Sequence, residues 1–131
     1  MSSATRMDLT SLFRSPEFYV PFRAGQIVFK ENDPGDNMYV ILEGEVELTI
    51  RGNPIRSFGR GEVIGEMALI SDKPRVGTVT ARTDCKLAPI NKKRFLLLVQ
   101  QSPQFSLHML ETMAERIRWM DSLISPNTSA P

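Results

Sequence analysis

From Val46 to Ile50 apolar and polar positions alternate, with Val46, Leu48 and Ile50 on one side and Glu45, Glu47 and Arg51 on the other. A period of two sends successive side chains to opposite faces, so the run predicts a half-buried antiparallel strand. Short runs of the same kind surround it: Gln26–Lys30, the continuous apolar stretch Met38–Leu42, Ile55–Phe58, Val76–Arg82 and Cys85–Ile90. Between them stand turn formers, in Glu31–Asp36, Gly52-Asn53-Pro54 and Gly59-Arg60-Gly61-Glu62. Short strands at this cadence predict a mainly-β chain with flanking helices, arranged as a double-stranded β-helix or jelly-roll β-sandwich.

The period lengthens in the last third. Asn91 is placed to N-cap a helix running to about Gln101, with Ile90 and Phe95 as its hydrophobic staple. Lys92-Lys93-Arg94 then fall in the first turn, against the helix dipole at a few tenths of a kcal/mol each, and read as a solvated face. Ser102 followed by Pro103 opens a second helix to about Ile124. Leu110, Met113, Ile117, Met120 and Ile124 recur on it at intervals of three and four, a seam that packs either on the sandwich or on a twin helix. At the other end Leu9, Leu12 and Phe13 have helical spacing, and Pro16 closes that helix before the aromatic run Phe18–Phe22. The expected organisation is an N-terminal helical segment over 1–17, one domain over 18–124 and a disordered tail over 125–131. Within the domain, the β-roll covers about 18–90 and the C-terminal helices about 91–124.

Composition narrows the chemistry. The chain has 131 residues, 16 Lys+Arg against 15 Asp+Glu, one His and one Cys. A charge near zero with no long basic run gives no footprint for a nucleic-acid polymer. A lone His108 excludes multi-histidine metal centres, so no metal site is expected. Cys85 forms no internal disulfide, reads as a small buried apolar residue, and points to a reducing cytoplasm. No apolar run approaches the roughly 20 residues of a membrane span, and the start lacks a signal-peptide core. No catalytic constellation is visible.

The segment 61–79 stands out, because a sandwich needs no short helix-forming stretch, Met67–Ile70, between two strands. Gly65 permits a sharp turn, and the amides of Glu66 to Leu69 then form a helix N-terminus that attracts an anion. Pro74 stiffens the exit and Arg75 adds a fork of donors suited to phosphate oxygens. Glu66 beside an anion makes sense where the ligand also carries a hydroxyl. On spacing alone the simpler reading is favoured, a helix capped by Glu66 and a surface ion pair at Arg75 worth ~0–1 kcal/mol.

The residues Gly65-Glu66-Met67-Ala68-Leu69, then Pro74-Arg75 and Thr78-Val79, resemble the phosphate-binding cassette of the cyclic nucleotide-binding domain family. That family includes catabolite-activator regulators and regulatory subunits of cAMP-dependent protein kinase. Ala24-Gly25-Gln26, Gly35, Tyr39–Gly44 and Gly61 resemble its turn glycines and strands, and the likeness covers roughly 18–124. The resemblance implies a cyclic nucleotide ligand, with Glu66 accepting the ribose 2′-hydroxyl and Arg75 pairing with the exocyclic phosphate oxygens. Amides of Gly65, Met67 and Ala68 complete the cradle, Val63 and Met67 flank the base, and Arg118 or Trp119 is the candidate base lid. Val76 stands where a hydroxyl residue favours cGMP in some members, which tilts the expected ligand to cAMP, with cGMP the alternative. Gly77 replaces a frequent Ala and predicts a less stiff strand.

In the transcriptional members a helix-turn-helix follows the long helix. Seven residues follow Ile124 here, so a stand-alone, bacterial-type sensor is expected rather than a DNA reader. Such a sensor is non-catalytic, cytoplasmic and free of the membrane, and signals to a protein partner or a second copy through the C-terminal helix. The alternative is a ligand-independent interaction or assembly module on the same fold. A cyclic-nucleotide hydrolase would need metal ligands or a base that the sequence lacks.

Overall fold

The computed structural model describes residues 8–13 and 15–124. Among the described residues, eight strands and three α-helices follow in chain order. The strands are β1 (Val20–Phe22), β2 (Ile27–Phe29), β3 (Asn37–Glu43), β4 (Val46–Ile50), β5 (Asn53–Phe58), β6 (Val63–Ile64), β7 (Thr78–Ala81) and β8 (Cys85–Asn91). The helices are α1 (Glu66–Ser71), α2 (Lys92–Gln101) and α3 (Pro103–Ile124). Two four-stranded antiparallel sheets result, in the orders β1-β8-β3-β6 and β2-β7-β4-β5. This is the jelly-roll expected from the strand cadence.

Residues of both sheets meet in one core. Ile41, Val46, Phe58, Ile64, Val79, Ala81, Cys85 and Leu87 form a single buried cluster, flanked by Phe22, Val28, Phe29, Tyr39 and Leu48. Each large apolar side chain taken fully out of water there contributes about 1.5–3 kcal/mol. Cys85 is a core residue, its thiol facing the carbonyls of Glu45 and Thr83.

Four elements differ from the sequence expectation, the smallest being β6, a two-residue strand that no apolar run marked out. The helix expected near the N-terminus is instead a pair of short 3-10 turns, Leu9–Phe13 and Pro16–Phe18. Asp8 accounts for the first, since its carboxylate accepts from both the amide and the hydroxyl of Thr10 and holds a tight turn. Leu9 and Phe13 are nevertheless buried, as their spacing requires. The turn placed at Gly52-Asn53-Pro54 lies one residue earlier. Arg51 and Gly52 both have positive φ (51° and 81°), the backbone of a two-residue hairpin loop, and β5 begins at Asn53. Finally, Val20–Phe22 is a strand despite Pro21, and it occupies a sheet edge, where a missing N–H costs no ladder bond.

The described residues divide into two compact units, 8–96 and 97–124. In the first, α2 opens as expected, with the Arg94 amide donating to Asn91 Oδ1 at 2.8 Å. In the second, the Phe105 amide donates to Ser102 Oγ at 3.1 Å, which caps α3. The expected tail, 125–131, and positions 1–7 of the N-terminal segment lie outside the described residues. Among the described residues no helix is long and apolar enough to cross a membrane.

Candidate ligand-binding site

Gly65 sets the geometry of the corner between β6 and α1. Its φ of +79° is left-handed, and a Cβ built there would stand 2.5 Å from Arg75 Nη1 and 3.2 Å from Phe29 Cε2. Only glycine fits both the backbone and the space. α1 then runs for six residues with Gly65, not Glu66, in the cap position and no side-chain capping bond. It ends at Asp72, which has φ +59° and returns its amide to the Ala68 carbonyl at 2.9 Å. Ala68 and Leu69 are buried as α1 packs on β3.

Lys92 grips the far end of α1. Its Nζ donates to the Leu69 carbonyl at 3.3 Å and pairs with Asp72 at 3.6 Å, a cation at a helix C-terminus. Arg94 lies over the rings of Phe13 (5.1 Å) and Phe18 (4.7 Å). Of the basic run expected to face solvent, two members instead bind neighbouring elements. Charge patterning alone gave no hint of this, because the partners are remote in sequence.

Arg75 is the centre of the site. Its backbone is pinned on both sides, the Arg75 amide donating to Asp33 O and the Asn32 amide to Arg75 O, each at 2.9 Å. The side chain is only 5% exposed. Nη1 donates to Gly65 O at 3.0 Å, Nη2 to Asn37 O at 2.6 Å, and the guanidinium carbon sits 4.0 Å from the Phe29 ring centroid. Among the described residues no carboxylate comes within ion-pair distance, and Nε has no hydrogen-bond partner. Burial pushes this guanidinium below its ordinary value, opposed through space by Tyr39, Asp36, Asp33 and Glu66. A surface ion pair is therefore excluded for Arg75.

The other sequence candidates divide by accessibility. Glu66 is 2% exposed at the first position of α1. Met67 and Val76 are exposed beside it, at 44% and 60%. Val63, on β6, is 1% exposed and presents almost no surface to a base. Arg118 and Trp119 lie on α3, in the second unit, the first exposed and the second half-buried. Sequence reasoning missed Phe29 and the backbone carbonyls of Asn37 and Asp33. A strand pattern shows that Phe29 is apolar but not that a guanidinium covers its face.

Chemically, the corner offers a buried positive charge with donors to spare, next to first-turn amides that have no intrahelical acceptor. Such a set suits a compact anion with several acceptor oxygens. A separate cleft of about 330 Å³ among Phe13, Tyr19, Leu42, Arg60 and Lys86 shares no residue with it. The cations there are committed, Arg60 to Thr10 Oγ1 at 3.1 Å and Lys86 to Glu43 at 3.4 Å. Among the described residues no group of His, Cys, Asp and Glu is placed to hold a metal ion.

Comparison with known proteins bears on the family and the fold. The family described as "Cyclic nucleotide-binding domain" matches residues 19–102. The chain is 40% identical over 82 residues to the cAMP-dependent protein kinase regulatory subunit of Emericella nidulans, covering 61% of this chain and 20% of that protein. It thus spans about a fifth of the length of that relative. Among solved structures, the EAL enzyme Bd1971 in its cAMP-bound form is 30% identical with a TM-score of 0.61, covering 85% of this chain and 31% of that one. The cGMP-bound form of the same enzyme matches at 31% identity and a TM-score of 0.59, covering 86% and 30%. Thermus thermophilus catabolite activator protein overlays with a TM-score of 0.74 at 23% identity, over 88% of this chain and 61% of that one, a likeness of fold alone.

Proposed function

The chain belongs to the cyclic nucleotide-binding domain family, and from that premise we propose that it binds a cyclic nucleotide, cAMP in preference to cGMP, and acts as a non-catalytic sensor. The observation that carries this reading is Arg75, buried and charged, with an Nε and a carboxylate place that no described residue fills. A buried charge with no direct ion-pair partner is costly to hold, so a site that keeps one gains by admitting an anion. A cyclic monophosphate brings one negative charge and acceptor oxygens for Nε and for the amides of Gly65, Met67 and Ala68. Glu66 beside it takes the ribose 2′-hydroxyl, and Met67 and Val76 offer exposed apolar surface to the base. Val76 has no hydroxyl to offer a guanine, which supports cAMP over cGMP.

The bound state reaches a partner by way of the helices. Nucleotide drawing on α1 also draws on Lys92, the first residue of α2, and the ligand shifts the equilibrium only by its affinity difference between the two arrangements. The exposed apolar row on α3 is the proposed surface for a second copy or another protein. Thermal unfolding with cAMP, cGMP and linear 5′-AMP tests the reading. The cyclic nucleotides should raise the midpoint and 5′-AMP should not. A midpoint unmoved by millimolar cAMP would favour the ligand-independent assembly module.

A further inference from the structure

We infer that Phe29 is a positioning residue for Arg75, holding the guanidinium plane in the orientation that a cyclic phosphate meets; the inference rests on the nucleotide reading above. The guanidinium carbon lies 4.0 Å from the Phe29 centroid, well inside the distance of an effective cation–π contact. The ring is itself fixed. It stacks on Tyr39 at 6.3 Å and 24°, and Tyr39 meets Phe22 edge-on at 6.4 Å and 88°. Three aromatic side chains from β1, β2 and β3 thus stand behind one cation.

The two carbonyl bonds do not fix the guanidinium plane alone. Nη1 to Gly65 O and Nη2 to Asn37 O hold two of the five N–H groups, both at one end of the fork. Rotation about the line joining those two nitrogens would still swing Nε, the donor with no partner. A ring face against the guanidinium removes that freedom. It also supplies favourable electrostatics to a buried charge that meets no carboxylate among the described residues, without neutralising it as an ion pair would. An acidic residue in the place of Phe29 would compete with the phosphate; an aliphatic one would leave the plane loose. Phe29 does neither, and the absence of a Cβ at Gly65 gives its edge room, since that atom would lie 3.2 Å from Cε2.

The test compares wild type with Phe29→Leu and Phe29→Tyr, each first shown by thermal unfolding to be folded. In the unliganded proteins the Arg75 Nε–H resonance should lie upfield in wild type and Phe29→Tyr, under the ring current, and move downfield in Phe29→Leu. With cAMP as titrant, Phe29→Leu should bind about three- to tenfold more weakly while Phe29→Tyr stays within about twofold of wild type. Equal losses in both variants, or wild-type affinity in Phe29→Leu, would overturn the positioning role and leave Phe29 as core filler. Wild type that binds no cAMP would refute the nucleotide reading, and the Nε–H resonance would then decide on Phe29 by itself.

Discussion

The Gly65 carbonyl accepts from Arg75 Nη1 at 3.0 Å, and the side chain that Gly65 lacks would occupy the place of that same nitrogen, 2.5 Å away. One residue thus provides the acceptor and the space. Gly65→Ala meets two penalties, about 1–2 kcal/mol for a left-handed backbone and the displacement of Arg75. We expect at least a tenfold loss of cAMP affinity by calorimetry, together with a lowered melting temperature. Unchanged affinity would mean that the guanidinium position is irrelevant to binding.

Gly77 makes a second close approach. A Cβ there would stand 2.6 Å from the Thr49 carbonyl oxygen and 2.7 Å from Leu48 Cδ1. The carbonyl belongs to β4 and has little freedom to retreat. Gly77→Ala, which restores the residue frequent in the family, should therefore destabilise this chain by about 1–3 kcal/mol. Urea unfolding checks it, and a stabilised variant would show that the strand relaxes at no cost.

Lys92→Met removes the grip on α1 while keeping the aliphatic stem. The pair with Asp72 is solvent-exposed and worth little, whereas the bond to the Leu69 carbonyl satisfies a helix-end acceptor. A total loss of about 0.5–1 kcal/mol is expected. Faster amide exchange over residues 66–72 should accompany it. Unaltered exchange there would show that the two helices are not joined through this side chain.

The apolar row on α3 gives a prediction about assembly. Leu110, Ile117, Met120 and Ile124 are exposed by 67%, 68%, 46% and 80%. If the row covers a second copy, Ile117→Glu should convert a dimer to a monomer in sedimentation at micromolar concentration. Wild type that sediments as a monomer would redirect the row to a different protein.

The strands with clean alternation or continuous apolar runs were legible because burial dictates those patterns. β1 was not, because Pro21 reads as a break unless the strand is known to lie at an edge. The N-terminal turns were misread as a helix because the spacing of Leu9 and Phe13 reports burial and not the tightness of the turn. In the site, Gly65, Glu66 and Arg75 were visible by type and spacing. Their burial was not, and burial is what separates Arg75 from a surface ion pair. Phe29 was hidden for a related reason, since it lies on β2 and meets Arg75, in the loop before β7, more than forty residues further along the chain.

Isothermal titration of cAMP into wild type and Arg75→Ala addresses the main claim most directly. Removing one partner of a desolvated charged contact costs about 2–5 kcal/mol, so a saturable one-to-one heat should weaken at least tenfold in the variant. The same midpoint in both proteins, or no heat from wild type at millimolar nucleotide, would contradict the account.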